Sequence, residues 1–186
     1  FSSKSYVTDI CRLALANIER FVTSDFYIDR IKHISQLEYR CLAGQKLEGD
    51  IDIIVGFASV GEQTAIVDIA NGFSHSNISN LGIEVYDAIG EFTNCISGLF
   101  ATAISKKGSM LEITPQFAYE NQFAKGDAYV LPIHIHDSEV LLFISASDET
   151  KAGDMPVVRK IMAKAGGEVT LDSKGTVVIV DDSGMS

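Results

Sequence analysis

Basic residues are scarce in this sequence. Fifteen lysines and arginines stand against 25 aspartates and glutamates, which leaves a formal net charge of −10 and a pI of about 4.7. No basic patch appears, so neither a nucleic-acid backbone nor an anionic membrane surface is an expected partner. Cysteine is scarce as well. Cys11, Cys41 and Cys95 are isolated and odd in number, and no Cys-x-x-Cys occurs. That argues against a zinc ribbon and against a redox motif. Cys11 and Cys95 lie among apolar neighbours on expected helices and read as buried thiols. Such usage fits a reducing, cytoplasmic compartment. No apolar run approaches the ~20 residues of a membrane span. The opening FSSKSYVTDIC has no signal-peptide shape. Tryptophan is absent altogether.

What is present suffices for a core: 46% hydrophobic residues, ten phenylalanines among them. A length of 186 residues holds one good-sized domain, or one domain plus a fragment.

The most informative stretch runs from Ile83 to Ser105, IEVYDAIGEFTNCISGLFATAIS. At about 100° per residue it sorts into two faces. Val85, Ile89, Phe92, Ile96, Leu99, Phe100 and Ala103 form a core-facing stripe. Opposite them, at steps of four, three and four, stand Asp87, Glu91, Asn94 and Gly98, flanked by Gly90 and Ser97. An interior glycine costs about 1 kcal/mol relative to alanine. Two of them on a low, acidic face suggest close approach by something else. Against this stands the ordinary reading, that every amphipathic helix has a solvated polar face. The absence of lysine and arginine from the whole stretch favours a basic partner group.

Around this helix the chain reads as follows. Ser5 to Val22 is an amphipathic helix, with apolar residues recurring at three and four. Thr23 to Ile34 is mixed, with a short helical turn expected near Tyr27 to His33. Gln36 to Leu42 alternates as a strand, Gly44 to Gly49 reads as a turn, and Asp50 to Ser59 as a buried strand interrupted by Gly56. Gln63 to Ala70 reads as its hairpin partner. Lys106-Lys107-Gly108 ends the central helix, with cations near the negative terminus and a glycine free to turn left-handed. Met110 to Ala118 is a strand that Pro115 breaks or places at an edge. Tyr129 to His136 and Glu139 to Ala146 form a second hairpin across Asp137-Ser138. Ile133 and Ile135 would then point inward, His134 and His136 outward. The expected fold is α+β: an antiparallel sheet of about six strands with two long helices on one face, spanning residues 1–150. Residues 151–186 change character. A linker, a short basic helix over Pro156 to Ala165, a Gly-Gly break and a β-branched strand, Thr176 to Val180, end in Asp181-Asp182-Ser183.

On these residues the chain resembles the CheC/CheX/FliY chemotaxis phosphatases. Their signature is Asp or Ser, three residues, Glu, two residues, Asn. It stands here as Asp87-Ala-Ile-Gly-Glu91-Phe-Thr-Asn94, followed by Cys-Ile-Ser-Gly98. The element order over roughly residues 5 to 147 is similar too. A single copy of the motif looks more like CheX than like CheC, which carries two. The tail resembles the opening of a response-regulator receiver domain, whose acidic pair helps hold Mg²⁺. Either a receiver has been cut away or the tail is a remnant, and the plain alternative is a stray strand.

The resemblance implies a function: hydrolysis of the aspartyl phosphate of a CheY-like receiver in bacterial two-component signalling. It implies Glu91 and Asn94 as the catalytic pair, with Asp87, Gly90 and Gly98 as docking positions. Asn94 would orient the attacking water, since an amide does not titrate and cannot be a general base. Glu91 would accept the receiver's lysine. No cofactor of the protein's own is implied, because the receiver supplies Mg²⁺; a homodimer is. Two other readings compete. The helix could serve as a non-catalytic receiver-binding or dimerisation module. His134 and His136 could share a metal from one strand face, although two ligands are too few.

Overall fold

A computed structural model describes residues 3–148, together with two short strands at 168–171 and 177–180. The elements are helix α1 (Ser3–Phe21), strands β1 (Phe26–Ile28), β2 (Lys32–Gly49) and β3 (Ile51–Ser59), helices α2 (Thr64–Ser74) and α3 (Ile83–Ser105), then β4 (Leu111–Ile135) and β5 (Ser138–Asp148). β6 (Glu168–Leu171) and β7 (Val177–Val180) pair antiparallel with each other. The helix expected over Pro156 to Ala165 and the acidic end of the tail lie outside the described residues.

Five antiparallel strands form the main sheet in the order β1-β4-β2-β3-β5, and three helices pack on it. The 25-residue β4 decides its shape. Its first part pairs with β2, and its last seven residues pair also with β5, from Tyr129↔Ile144 to Ile135↔Ser138. With β2–β3 and β3–β5 this closes a circuit, and the sheet curls. Alternation along the strands then fills two cores. Ile53, Val55, Phe57, Leu131, Ile133, Ile135, Val140 and Leu142 face the helices. Ile54, Ala58, Val130, Leu141 and Phe143 join Tyr39, Leu42 and Tyr119 in a second cluster inside the curl.

Three local expectations are corrected. Gln63 to Ala70 is not a strand but most of α2, which buries Ala65, Ile66, Val67, Ile69 and Ala70. Spacings of one, three and four define a helical stripe, but this run is short and rich in Ile and Val. With this run lost to α2, the stretches expected over Met110 to Ala118 and Tyr129 to His136 fused into β4, and β1 added, the main sheet has five strands where about six were expected. Gly44 to Gly49 is no turn; it continues β2. Gly44 lies opposite Gly56, and a Cβ on Gly44 would come within 2.3 Å of the Val55 carbonyl oxygen. These glycines let two strands approach closely without interrupting either. Residues near Tyr27 to His33 are not helical: Phe26–Ile28 adds to Ile133–Ile135 as an edge strand, and β2 begins at Lys32.

Other expectations hold. α1 buries Tyr6, Val7, Ile10, Ala14 and Ile18. α3 spans the residues anticipated for it. Gly108 has φ +92° and closes the helix end with a bond to Ser105 O. Pro115 does not end its strand. Thr114 and Pro115 together stand opposite Lys46, because Gln45 pairs with Gln116 and Leu47 with Ile113. This is a β-bulge, a place where a residue without an N–H is tolerated.

Candidate functional site

Phe92 fixes the rotation of α3. Its ring meets Phe21 of α1 at 6.2 Å, Phe57 of β3 at 5.6 Å and Phe73 of α2 at 5.3 Å. A fully buried phenylalanine is worth about 1.5–3 kcal/mol, and edge and tilted ring pairs add to that. With Phe92 inward, Val85, Ile89, Ile96 and Phe100 follow it into the core. The stripe is rotated slightly from the expected one. Ala88, Thr93 and Ile104 are buried, while Leu99 is 48% exposed and Ala103 is also exposed. Thr93 satisfies its hydroxyl on Ile89 O at 2.7 Å.

That rotation turns Asp87 and Glu91 to solvent, with Asn94 and Gly98 half-buried beside them. The four residues share one outward face, as the spacing requires. Gly90 does not join them. It is buried, and an added Cβ would meet the Gln116 side chain, 2.3 Å from Oε1. The close approach that Gly90 permits is thus made by β4 of the same chain. Gly98 is the opposite case, with nothing within 4 Å of its missing Cβ.

Two glutamines from the sheet hold the motif side chains. Gln116 Nε2 donates to Glu91 Oε1 at 3.3 Å. Gln45 Nε2 donates to Asn94 Oδ1 at 3.0 Å and to Thr114 O at 2.9 Å. The bulge makes the second bond possible by turning the Thr114 carbonyl toward Gln45, while the Thr114 hydroxyl bonds Lys46 O at 2.9 Å. Tyr86, one turn before Gly90, donates its hydroxyl to Glu120 of β4. Burial first, and this bond second, push the Tyr86 hydroxyl above its ordinary range. None of these partners was singled out from the sequence. Gln45 is 49 residues from Asn94, in a segment read as a turn. The signal available was the alternation of Ala43, Gln45 and Leu47.

Chemically, this face can accept a cation at Glu91 and offer a fixed amide at Asn94. It holds no nucleophile–base pair, and among the described residues no group of three metal-ligating side chains comes together. His134 stacks on Tyr27 at 4.6 Å and meets Glu139 at 3.4 Å. His136 faces Asp68 at 3.8 Å. Ile135 pairs with Ser138, so His136 opens a two-residue loop at φ 54° instead of sharing a strand face with His134. Cys95, expected to be buried, is exposed beside Asn94, whereas Cys11 and Cys41 are buried. No helix among the described residues is long and apolar enough to cross a membrane.

No family model matches the sequence, and no curated protein does. Solved structures do. The chemotaxis protein CheX of Desulfovibrio desulfuricans superposes with TM-score 0.63 at 11% identity, over 77% of this chain and 99% of that one. A CheC-like chemotactic protein of Shewanella oneidensis MR-1 gives TM-score 0.64 at 14% identity, over 76% and 97%. CheX of Borrelia burgdorferi, solved in complex with CheY, BeF₃ and Mg²⁺, gives 0.57 at 16% identity, over 77% and 98%. The chain therefore has the fold of CheX and the CheC-like proteins, an α+β fold with an antiparallel sheet and helices on one face.

Proposed function

We propose that this protein docks on a phosphorylated CheY-like receiver domain and speeds hydrolysis of its aspartyl phosphate, in bacterial chemotaxis or a related two-component circuit of the cytoplasm. The observation that carries the reading is the outward pair Glu91 and Asn94, one helical turn apart, each held by a glutamine of the sheet. The Borrelia burgdorferi neighbour, solved with CheY, supports the class of partner.

An acyl phosphate hydrolyses by in-line attack of water. The receiver brings its own Mg²⁺ and lysine, so little remains to be added. Glu91 pairs with that lysine and seats the helix in the receiver's site. Asn94 orients the water, with its amide N–H groups available to a phosphoryl oxygen. Asp87 contributes at the periphery, and the open surface over Gly98 admits the receiver's loops. A hundredfold acceleration needs about 2.7 kcal/mol, within reach of one positioned water. The stretch of β4 before Tyr129 pairs only with β2 among the described residues. Such an edge is where a second copy would pair to make the expected homodimer.

The test follows phosphate decay from a panel of phosphorylated receivers. Acceleration that is lost in Asn94→Ala, with binding weakened in Glu91→Ala, supports the reading. Binding without acceleration leaves a docking module. A chain that neither binds nor accelerates any receiver overturns both.

A further inference from the structure

We infer that Gln45 is a positioning residue that fixes which end of the Asn94 carboxamide faces outward, and so presents Nδ2 rather than Oδ1 to whatever docks on α3. For its catalytic meaning this rests on the proposed function; the orientation itself does not.

The argument starts from an atom that cannot change role. Thr114 O is a backbone carbonyl and only accepts. The Gln45 atom 2.9 Å from it is therefore the amide nitrogen. That same nitrogen lies 3.0 Å from the end of Asn94, which must then be an acceptor, Oδ1. Turning Gln45 over would set its oxygen against the Thr114 carbonyl. Turning Asn94 over would set two NH₂ groups against each other. The chain of polarity runs one way, from the Thr114 carbonyl through Gln45 to Asn94.

Gln45 is built in rather than laid on. It is 2% exposed, and its own Oε1 is buried without a hydrogen-bond partner. A buried orphan oxygen is a standing cost. A hydrophobic side chain of the same length would avoid it, so the glutamine is there for its N–H groups. Both of them are spent, one on each oxygen. Gln45 takes a lone pair of the Asn94 oxygen, and the Asn94 NH₂ makes no hydrogen bond among the described residues. The bond from Gln45 also polarises the amide and makes that NH₂ a better donor. A donor facing outward suits phosphoryl oxygens.

Two measurements test this. Gln45→Met keeps the volume and removes both donors. Its rate at saturating phosphorylated receiver should fall about tenfold, with KM unchanged within twofold. In an Asn94→Ala background the same change should have no further effect, because Gln45 acts only through Asn94. An additive loss in that background would mean a merely structural role and would overturn the inference. Side-chain amide hydrogen exchange on the wild-type protein is independent of activity and of whether the variant folds. The Gln45 NH₂ should be protected and the Asn94 NH₂ should exchange fast. The reverse pattern overturns the orientation. If the wild-type protein accelerates no receiver, the phosphatase reading fails by itself, and the exchange pattern still decides which way Asn94 faces.

Discussion

Gln45 and Gln116 face each other across β2 and β4, and each reaches a different side chain of the Glu91–Asn94 pair. The match is one of spacing. Directly opposed residues of an antiparallel pair lie about 5 Å apart. Residues three apart on a helix lie about 5–6 Å apart. A cross-strand pair can therefore support a helical pair side chain for side chain. The bulge at Thr114 and Pro115 sets the register that puts both glutamines under α3.

The two glutamines should separate in their effects. Gln116 is exposed and touches Glu91, the residue proposed to engage the receiver's lysine. Gln116→Leu should weaken receiver binding about threefold and leave the rate at saturation unchanged. Its melting temperature should stay near wild type, since most exposed substitutions cost under about 0.5 kcal/mol. Titration calorimetry beside decay kinetics reads both quantities.

Gly98→Ala should move stability and docking in opposite directions. The missing Cβ points into open space. Alanine there gains up to about 1 kcal/mol of helix propensity, visible as a rise of a few degrees in the thermal midpoint. The same methyl stands on the face proposed to meet the receiver, and binding should weaken at least fivefold. A variant that is more stable and binds equally well would take Gly98 out of the docking face.

At Gly44 a methyl group should be ruinous for a different reason. It would lie 2.3 Å from the Val55 carbonyl oxygen and 2.7 Å from the Gly56 Cα, both backbone atoms that cannot swing away. Gly44→Ala should cost about 3 kcal/mol or more, at the upper end of overpacking penalties. Urea denaturation measures it.

The thiols should divide one against two. Burial pushes Cys11 and Cys41 up to about 11, whereas Cys95 is exposed. A water-soluble disulfide reagent at pH 8 should modify one thiol quickly and three after unfolding. The native fold holds the two buried protons more tightly than the unfolded chain does. Their contribution to stability is therefore complete below pH 9 and declines as the pH rises toward 11. Alkaline melts of Cys11→Ala and Cys41→Ala should each show a shallower decline. Because Cys95 adjoins Asn94, a bulky adduct on it should also block receiver binding.

How much of this could be read from the sequence depended on the range of the interaction. α3 was legible because its period persists over 23 residues, long enough to exclude alternation. Its outward face followed from the same period. α2 reads as a strand in the sequence because a run such as Ala65-Ile66-Val67 carries β-branched residues and is too short to show a period. Local propensity and tertiary context disagreed there, and packing against α3 and β5 decided. Gly44 and Gly90 were visible as glycines, but what each makes room for lies far along the chain. Gln45 and Gln116 were invisible for that same reason. Their roles exist only through the strand register and the bulge, and no local pattern states a register.

β4 pairs with β2 at one end and with β5 at the other. The floor beneath α3 is therefore finished only by sequence that follows the helix. A peptide of Ile83–Ser105, or the same helix grafted on another scaffold, would carry Glu91 and Asn94 in the right order. It would lack Gln45, Thr114 and Gln116, and Asn94 would be free to turn either way. The motif is in this sense not transferable: its geometry is a property of the closed sheet, to which the helix contributes only the visible half.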